Sequence, residues 1–265
     1  MRKFIDQFTR TMGYSPNLDD PKTMSEKVLI RKLYDRRPIL VELTDKLRSK
    51  DWVKGRSDAV AIPTLGTGFE IGDILKPPFV VKPTGYSGQT FVIRDKKQWP
   101  EIKKSLIETS RAPYGQDKGQ WAYKEVPFEL IYESVLEDFI EFKFFCFDGR
   151  TKVIRKNEVP KNQTQVGLAG VKCAFFWRDG SPINVTVRDV LKCSHNLPEG
   201  LDLQEMVACA DKLSEGIDFV RVDLYWTPET IYYGEHTFYP SSGYLKFVPE
   251  NFDRTLGDLW TLSYR

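Results

Sequence analysis

The chain has 265 residues, of which 41% are hydrophobic and 13% aromatic, so it can bury the core of one compound domain or of two small ones. Its 39 Lys and Arg residues nearly balance its 37 Asp and Glu residues, which gives no general attraction to nucleic acid. No signal peptide opens the chain and no apolar run could span a bilayer, so we expect a cytoplasmic protein without a membrane span.

Cysteine and histidine usage narrows the chemistry further. The four cysteines form no Cys-x-x-Cys pair, which argues against a zinc ribbon or a disulfide framework. The only histidines are His195 and His236, so a hydrolase that relies on a histidine base has little material to work with. His236 also points away from Glu235 by strand alternation, which indicates a structural role.

The first third of the chain is predicted to be mainly helical. A Thr-x-x-Glu capping box at Thr23 and Glu26 precedes apolar residues at helical spacing, which predicts a helix. Pro38 and Gly55 are typical of the start and the end of a second helix.

Strand signals begin in the middle of the chain. Two β-rich runs flank a Pro/Gly/Ser stretch within residues 77–95 and predict a hairpin with a flexible loop. Residues 95–110 have the pattern of a surface helix. Residues 128–157 predict a strand, a connecting segment and a second hairpin, which turns at the Asp148-Gly149 pair.

The last third contains one helix and one hairpin of particular interest. Residues 201–216 are amphipathic and end in glycine, which predicts a helix. Residues 220–240 then form two short apolar runs joined by a turn. The order of these elements, without internal repeats, predicts an α+β protein in which a helical N-terminal region precedes a mixed body.

The final hairpin carries two carboxylates. If it turns at residues 228–230, Asp223 and Glu235 lie opposite one another with Cβ atoms about 5 Å apart, and Arg221 shares their face. A divalent cation would remove the repulsion between the two charges, and hard oxygen ligands suit Mg²⁺. A solvent-facing sheet with two hydrated acids explains the same pattern equally well.

A second group of residues surrounds Lys82, which ends the apolar run FVVK and precedes Gly85 and Gly88. Glycines let backbone N–H groups turn toward a bound anion, and lysine adds a point charge. The motif is not a P-loop, because the lysine precedes the glycines. Alone it is typical of an ordinary flexible turn. Together with the carboxylate hairpin it predicts a site that holds a nucleotide triphosphate from two sides.

In this order the segments resemble the TupA-like family of the ATP-grasp superfamily, which is associated with bacterial surface-polysaccharide biosynthesis. The resemblance covers nearly the whole chain and is carried by DPKTMSEKVLIRKLYDRRPILVELTDK, FVVKPTGYSG, IYESVLED, EFKFFCFDGR, FVRVDLY and YGEHTFYPSSGYLKF. It implies an ATP-grasp fold, in which two α+β lobes hold ATP between them. We expect a helical region over 1–76 and an ATP-grasp domain over 77–265, with an N-lobe over 77–136 and a C-lobe over 137–265.

The resemblance implies ATP as a cofactor and assigns residues to it. Lys82 corresponds to a lysine that contacts phosphates, residues 84–88 to a mobile lid, and residues 133–136 to a hinge that hydrogen-bonds adenine. Glu141 falls near the nucleotide, and Lys143 occupies a basic position where other members often have arginine. The implied nucleotide-binding residues are Lys82, Thr84, Gly85, Ser87, Gly88, Glu133, Ser134, Val135, Leu136, Glu141 and Lys143.

The resemblance also implies magnesium, catalytic residues and a substrate site. Asp223 and Glu235 correspond to the magnesium ligands. Many ATP-grasp enzymes follow this glutamate with Glu-x-Asn, whereas Thr237 stands here at the third position, which leaves the coordination of a second magnesium ion open. The implied catalytic residues are Lys82, Arg155 and Arg221. The implied substrate contacts are Ser241, Ser242 and Lys246.

The implied activity is the ATP-dependent joining of a carboxylate to an amine through an acyl phosphate. The substrates would be small molecules, such as a sugar acid and an amino acid or amine, used for a cell-surface glycan or its precursor. A kinase that phosphorylates a sugar hydroxyl and a nucleotide-binding module without chemistry remain alternatives. A glycosyltransferase lacks support because no Asp-x-Asp metal motif is present. The oligomeric state stays open.

Overall fold

A computed structural model describes residues 1–112, 114–160, 165–166 and 170–262. The helices are α1 (Arg2–Met12), α2 (Met24–Tyr34), α3 (Pro38–Thr44), α4 (Ser49–Val53), α5 (Ile71–Ile74), α6 (Trp99–Ser110), α7 (Trp121–Glu125), α8 (Leu203–Ser214) and α9 (Phe252–Asp258). Short 3₁₀ helices span Lys96–Gln98 and Pro240–Gly243. Within the described ranges, no helix is long and apolar enough to cross a membrane.

The strands fall into three sheets. They are β1 (Val60–Ala61), β2 (Thr64–Thr67), β3 (Phe79–Pro83), β4 (Thr90–Ile93), β5 (Leu130–Glu133), β6 (Ile140–Phe147), β7 (Arg150–Glu158), β8 (Gln165–Val166), β9 (Lys172–Trp177), β10 (Pro182–Ile183), β11 (Thr186–Val187), β12 (Leu191–Lys192), β13 (Phe219–Trp226), β14 (Ile231–Thr237) and β15 (Phe247–Val248). An eight-stranded sheet has the order β1-β14-β13-β6-β7-β9-β10, with β12 also paired to β9. A five-stranded sheet has the order β2-β5-β3-β4-β8, and β11 pairs with β15.

The large sheet has one apolar face and one polar face near its centre. In β6, Phe142 and Phe144 are fully buried, whereas Glu141 and Lys143 point to the opposite face by strand alternation. Helix α8 packs against β6, β7 and β13, and its apolar side belongs to the same hydrophobic cluster as the two phenylalanines. The sequence therefore sorts apolar side chains toward α8 and charged side chains toward the other face.

The N-terminal helices follow the prediction with one difference. Helix α2 has the expected capping box, because Thr23 accepts from the backbone of Glu26 and the Glu26 side chain accepts from the backbone of Thr23. The segment from Pro38 onward forms two helices instead of one. Asp45 ends α3, and its carboxylate accepts the backbone N–H of Leu47 at 2.9 Å, a local bond that competes with helix continuation.

The small sheet draws on residues from outside the predicted N-lobe. Strand β2 lies within the region 1–76 but pairs with β5, and the nearby β1 pairs with β14 of the large sheet. Strand β8 lies within the range 137–265 but pairs with β4. Strands of two to four residues have too little alternation to be recognised in the sequence. Pairing with partner strands stabilises them instead. The five-stranded sheet therefore begins before residue 77.

The three predicted hairpins are confirmed. Strands β3 and β4 pair antiparallel around the Gly-rich loop. The β6–β7 turn has positive φ at Asp148 (49°) and Gly149 (71°), as a two-residue hairpin turn requires. Strands β13 and β14 pair so that Asp223 lies opposite Glu235, which is the register predicted from the turn at 228–230.

Candidate functional site

A row of charged side chains crosses the polar face of the large sheet. Lys143 of β6 lies opposite Arg155 of β7 and opposite Asp223 of β13, and Asp223 lies opposite Glu235 of β14. Neighbours in such a cross-strand row are close enough to interact directly. Below, these four residues are called the polar row.

The Arg221 guanidinium bridges the two carboxylates of the hairpin. Arg221 donates from Nε to Asp223 Oδ1 and from Nη2 to Asp223 Oδ2, both at 2.6 Å. The same Nη2 atom lies 3.3 Å from Glu235 Oε1. Thr237 donates its hydroxyl to that Glu235 oxygen at 2.9 Å. The predicted sharing of one face by Arg221, Asp223 and Glu235 is confirmed.

A bulge next to these carboxylates depends on a glycine. The pairing of β13 and β14 shifts after Asp223, so that Leu224 faces Tyr233 and Gly234 is left over. A Cβ atom at Gly234 would lie 2.9 Å from the Tyr225 ring and 3.0 Å from the Asp223 carbonyl oxygen. Bulges re-aim side chains beside functional sites, and only glycine fits this one.

The electrostatics around Glu235 favour its ionised form. Burial raises the pKa of this carboxyl, but Lys46, Arg221 and Lys143 lower it more, and the result is a pKa of about 2. Lys46 Nζ lies 3.7 Å from Glu235 Oε2. Glu235 is thus a charged acceptor at neutral pH, with cations on several sides.

Next to the polar row lies a chain of hydrogen bonds that includes Glu141. Lys143 Nζ contacts Asp223 Oδ2 at 2.5 Å and Glu141 Oε1 at 2.7 Å. Asn157 donates to Glu141 Oε2 at 2.6 Å and accepts from Arg155 Nε at 2.7 Å. Arg155 is 5% exposed, and its Nη2 atom has no hydrogen-bond partner among the described residues. A buried guanidinium with an unsatisfied donor is ready to receive an anion.

On the small sheet, Lys82 shares a carboxylate with a second lysine. Lys82 Nζ lies 2.6 Å from Glu133 Oε2, and Lys50 Nζ lies 2.6 Å from Glu133 Oε1. Burial raises the pKa of Glu133, but the two ammonium groups lower it more, so the pKa lies below its usual value. The single Glu133 carboxylate neutralises only one of the two ammonium groups, so positive charge remains beside Lys50 and Lys82.

The loop of residues 84–88 is fastened at its base and exposed to solvent at its tip. Thr84 donates its N–H to the Glu129 carbonyl at 2.9 Å, and the Tyr86 hydroxyl donates to the Ala112 carbonyl at 2.5 Å. A Cβ atom at Gly85 would lie 2.8 Å from Val126, so this position needs glycine. Ser87 and Gly88 are exposed, and Gly88 has a positive φ of 76°.

Lys46 and Lys50 were missed by sequence reasoning. Lys46 Nζ donates to the Tyr86 carbonyl of the loop at 2.5 Å and also faces Glu235, so it connects the loop to the carboxylate hairpin. Both lysines lie near the start of the chain, and Lys46 is the last residue of the N-terminal segment that carried the family resemblance. That segment was the available signal for Lys46, whereas Lys50 lies outside it, and lysines are usually exposed to solvent.

The remaining predicted site residues lie at the edges of this region. Residues 134–136 follow β5 without regular structure, and the Ser134 N–H donates to the Pro63 carbonyl at 3.1 Å. Ser241 and Ser242 have left-handed φ values of 46° and 58°, and Lys246 is partly exposed. Among the described residues, no hydrogen bond or ion pair joins the side chains of Ser241, Ser242 or Lys246 to the polar row.

The histidines do not contribute to this region. His236 is 2% exposed, and its ring contacts the Tyr233 hydroxyl at 2.6 Å and the Leu213 carbonyl at 3.1 Å. The predicted structural position of His236, away from Glu235, is confirmed. In the part of the chain that is described, no group of three or more His, Cys, Asp or Glu side chains could hold a metal ion alone.

The region contains more cationic than anionic side chains, which suits an anionic ligand. The basic residues are Lys46, Lys50, Lys82, Lys143, Arg155 and Arg221, and the acidic residues are Glu133, Glu141, Asp223 and Glu235. Most of these groups are buried or half-buried, so their fields are weakly screened.

Comparisons with solved structures indicate the fold. The D-alanine–D-alanine ligase from Helicobacter pylori has a TM-score of 0.50 and 14% identity, over 89% of this chain and 69% of that ligase. The L-amino acid ligase from Bacillus licheniformis has a TM-score of 0.50 and 12% identity, over 90% of this chain and 55% of that ligase. The D-alanine–D-alanine ligase from Bacillus anthracis has a TM-score of 0.41 and 19% identity, over 74% of this chain and 57% of that ligase. This chain therefore spans less than two thirds of the Bacillus ligases.

The family of the chain follows from a match over most of its length. No curated protein matches the chain in sequence. A model described as "TupA-like ATPgrasp" matches residues 26–261, which include all three sheets and every residue of the charged region. The chain has the ATP-grasp fold and belongs to the TupA-like ATP-grasp family.

Proposed function

We propose that the protein is an ATP-dependent carboxylate–amine ligase. A substrate carboxylate oxygen attacks the γ-phosphorus of ATP, the bond to the bridging oxygen breaks, and ADP leaves. The amine nitrogen then attacks the acyl carbon, phosphate leaves with the C–O bonding pair, and the amine loses a proton. Solved structures that share the fold include enzymes named as ligases, which supports this reaction class by analogy.

The observation that carries the proposal is the surplus of buried positive charge between the two sheets. Lys82 approaches from the small sheet, while Arg155 and Arg221 lie on the large sheet. Phosphoryl transfer needs positioning and charge neutralisation more than covalent help from the protein. In the proposal, Lys82 and Arg155 bind phosphate oxygens, and Arg221 stabilises charge that develops on the transferred group.

Other residues would hold the rest of the nucleotide. The loop, with Thr84, Gly85, Ser87 and Gly88, would cover the phosphates. Backbone groups of residues 133–136 would recognise adenine. Lys143 of the polar row and its partner Glu141 lie on the polar face of β6, where they would contact the nucleotide.

The donor set also fits magnesium. Asp223 and Glu235 face each other on adjacent strands, and the structure already places a cationic guanidinium between them. Two carboxylates, completed by water and nucleotide oxygens, form a typical Mg²⁺ site. When bound, the ion would supply further neutralisation of phosphate charge. Thr237 sits where an amide ligand is common, and its hydroxyl is engaged with Glu235.

The carboxylate and the amine would come from small molecules, such as a sugar acid and an amino acid or amine, in the making of a cell-surface glycan or its precursor. The left-handed turn at Ser241 and Ser242 begins four residues after the end of β14 at Thr237, and strained backbone of this kind is concentrated at functional sites. We assign Ser241, Ser242 and Lys246 to the binding of this second substrate.

Product analysis tests the proposal. The purified protein is incubated with ATP, Mg²⁺ and a panel of sugar acids paired with amino acids, and products are identified by mass spectrometry. We expect an amide, together with ADP and phosphate. A phosphorylated sugar with ADP would instead identify a kinase. The absence of turnover with every pair, despite ATP binding, would favour a module without chemistry.

A further inference from the structure

Lys50 has an unusual environment for a lysine on a short surface helix. It belongs to α4 and is 8% exposed. Its ammonium group donates to the Ile62 carbonyl at 2.6 Å and to the Thr64 hydroxyl at 2.8 Å, and it pairs with Glu133 at 2.6 Å. An ammonium group has three N–H donors, so these three acceptors use all of them.

Lys82 differs from Lys50 in this respect. The contact found for its ammonium group among the described residues is the ion pair with Glu133. To bind a phosphate, the Lys82 ammonium must leave this carboxylate. Glu133 is 2% exposed, and a buried carboxylate left without a cation is strongly unfavourable. Without a second cation, Glu133 would therefore hold Lys82 back from the nucleotide.

We propose that Lys50 is a positioning residue for Lys82: it keeps Glu133 paired and so allows Lys82 to move to the nucleotide phosphates. This inference rests on the nucleotide site of the proposed function. Lys50 itself does not bind phosphate, because its donors are used by Ile62, Thr64 and Glu133. Its role is to lower the cost of separating Lys82 from Glu133.

The position of Lys50 supports this division of roles. Its contacts tie α4 to the start of β2 and to the end of β5, where Thr64 lies opposite Glu133. The Lys50 ammonium group is therefore held in place by the Ile62 carbonyl, the Thr64 hydroxyl and the Glu133 carboxylate. Lys82 stands at the base of the Gly-rich loop, and the ion pair with Glu133 is the contact that holds its ammonium group among the described residues. Burial lowers the pKa of Lys50, and Glu133 partly offsets that effect.

The test compares binding of a ligand with phosphates to binding of a ligand without them. Affinities for the β,γ-imido analogue of ATP and for adenosine are measured by calorimetry. The proteins are wild type, Lys50→Met, Lys50→Gln and the double variant Lys50→Met/Glu133→Gln. Lys50→Gln keeps a donor for the Ile62 carbonyl and serves if Lys50→Met does not fold. Lys54→Met is the control, because Lys54 is an exposed lysine nearby that pairs with Asp51.

We expect Lys50→Met and Lys50→Gln to bind the imido analogue about tenfold more weakly or worse, with adenosine affinity unchanged. The double variant should regain most of the lost affinity, because an amide at position 133 cannot hold Lys82 as an ion pair. Lys54→Met should behave as wild type.

Three results would overturn the inference while leaving the proposed function standing: unchanged affinity of the Lys50 variants for the analogue, an equal loss for adenosine, or no recovery in the double variant. If the wild-type protein bound neither ligand, the proposed function would fall, and the inference with it.

Discussion

At the scale of single residues, the charges around Asp223 and Glu235 decide whether this carboxylate pair favours or opposes folding. Strand alternation places Asp223 opposite Glu235, and the structure agrees. From the sequence, two bare carboxylates should repel, so that removing one charge would stabilise the nucleotide-free protein. The structure argues against this expectation, because Arg221, Lys143 and Lys46 surround the pair. Their attraction outweighs the repulsion.

The first prediction follows from that environment. Glu235→Gln should lower turnover by orders of magnitude, because it removes charge from the proposed magnesium site. It should also lower the free energy of unfolding of the nucleotide-free protein, by about 1 kcal/mol, since cations lose a partner. Product formation and urea unfolding on one preparation measure both effects. Turnover near that of wild type would reject the site.

A second prediction concerns Lys82. Lys82→Ala should weaken binding of the imido analogue of ATP or slow phosphoryl transfer while the fold persists, because the lysine offers a point charge to phosphates and Glu133 keeps Lys50 as a partner. Calorimetry, turnover and circular dichroism are compared with Lys104→Ala, an exposed lysine on α6. Equal affinity and equal turnover in a folded Lys82→Ala protein would contradict the assignment.

At the scale of elements, local signals decide what can be predicted. The capping box at Thr23 and the Asp148-Gly149 turn are complete within a few residues, so the sequence specified both. Strands β1 and β2 have no such signal and depend on distant partners, β14 and β5. At the break between α3 and α4 the Asp45 side chain accepts nearby backbone N–H groups, and the spacing of leucines does not reveal this break.

The segment that joins β5 to β6 gives the third prediction. The Ser134 N–H donates to the Pro63 carbonyl. The adenine contacts would therefore come from the backbone of the other hinge residues within 133–136. Val135→Pro should weaken nucleotide binding at least about tenfold, because proline removes an N–H donor, whereas Val135→Ala should bind almost as wild type. Calorimetry with the imido analogue provides the comparison. Equal affinities, or a nucleotide-bound structure with adenine elsewhere, would refute the placement.

At the scale of the whole molecule, the site is assembled from parts that the sequence keeps far apart. The strand positions of Asp223, Glu235 and Lys82 were predictable, because each residue sits in a hairpin with a readable pattern. Lys46 and Lys50 were not, because only tertiary packing brings the N-terminal helices against the loop and against Glu133. The N-terminal region, predicted as a separate helical unit, thus contributes directly to the charged region.

The same long-range packing gives the last prediction, at Asp253. This residue of α9 accepts the backbone N–H of Ser25 in α2 at 3.1 Å, and so joins the two ends of the chain. Burial raises the pKa of the Asp253 carboxyl to about 6, with Glu26 nearby adding to the effect. Between pH 4 and pH 6 this carboxyl is mostly ionised in the unfolded chain but still mostly protonated in the folded protein. The contribution of Asp253 to stability is therefore greatest at low pH and falls as the pH rises through that interval.

Asp253→Asn keeps an acceptor for Ser25 and removes the charge, so the variant should lack this dependence. We expect the free energy of unfolding of wild type, minus that of Asp253→Asn, to fall by about 2 kcal/mol from pH 4 to pH 7. Urea unfolding across that range measures the difference, and Asp258→Asn, an exposed change on the same helix, is the control. A difference in unfolding free energy that stays constant with pH would show that burial does not raise the pKa of Asp253. The contact between α2 and α9 would then cost no free energy for burying a charge at neutral pH.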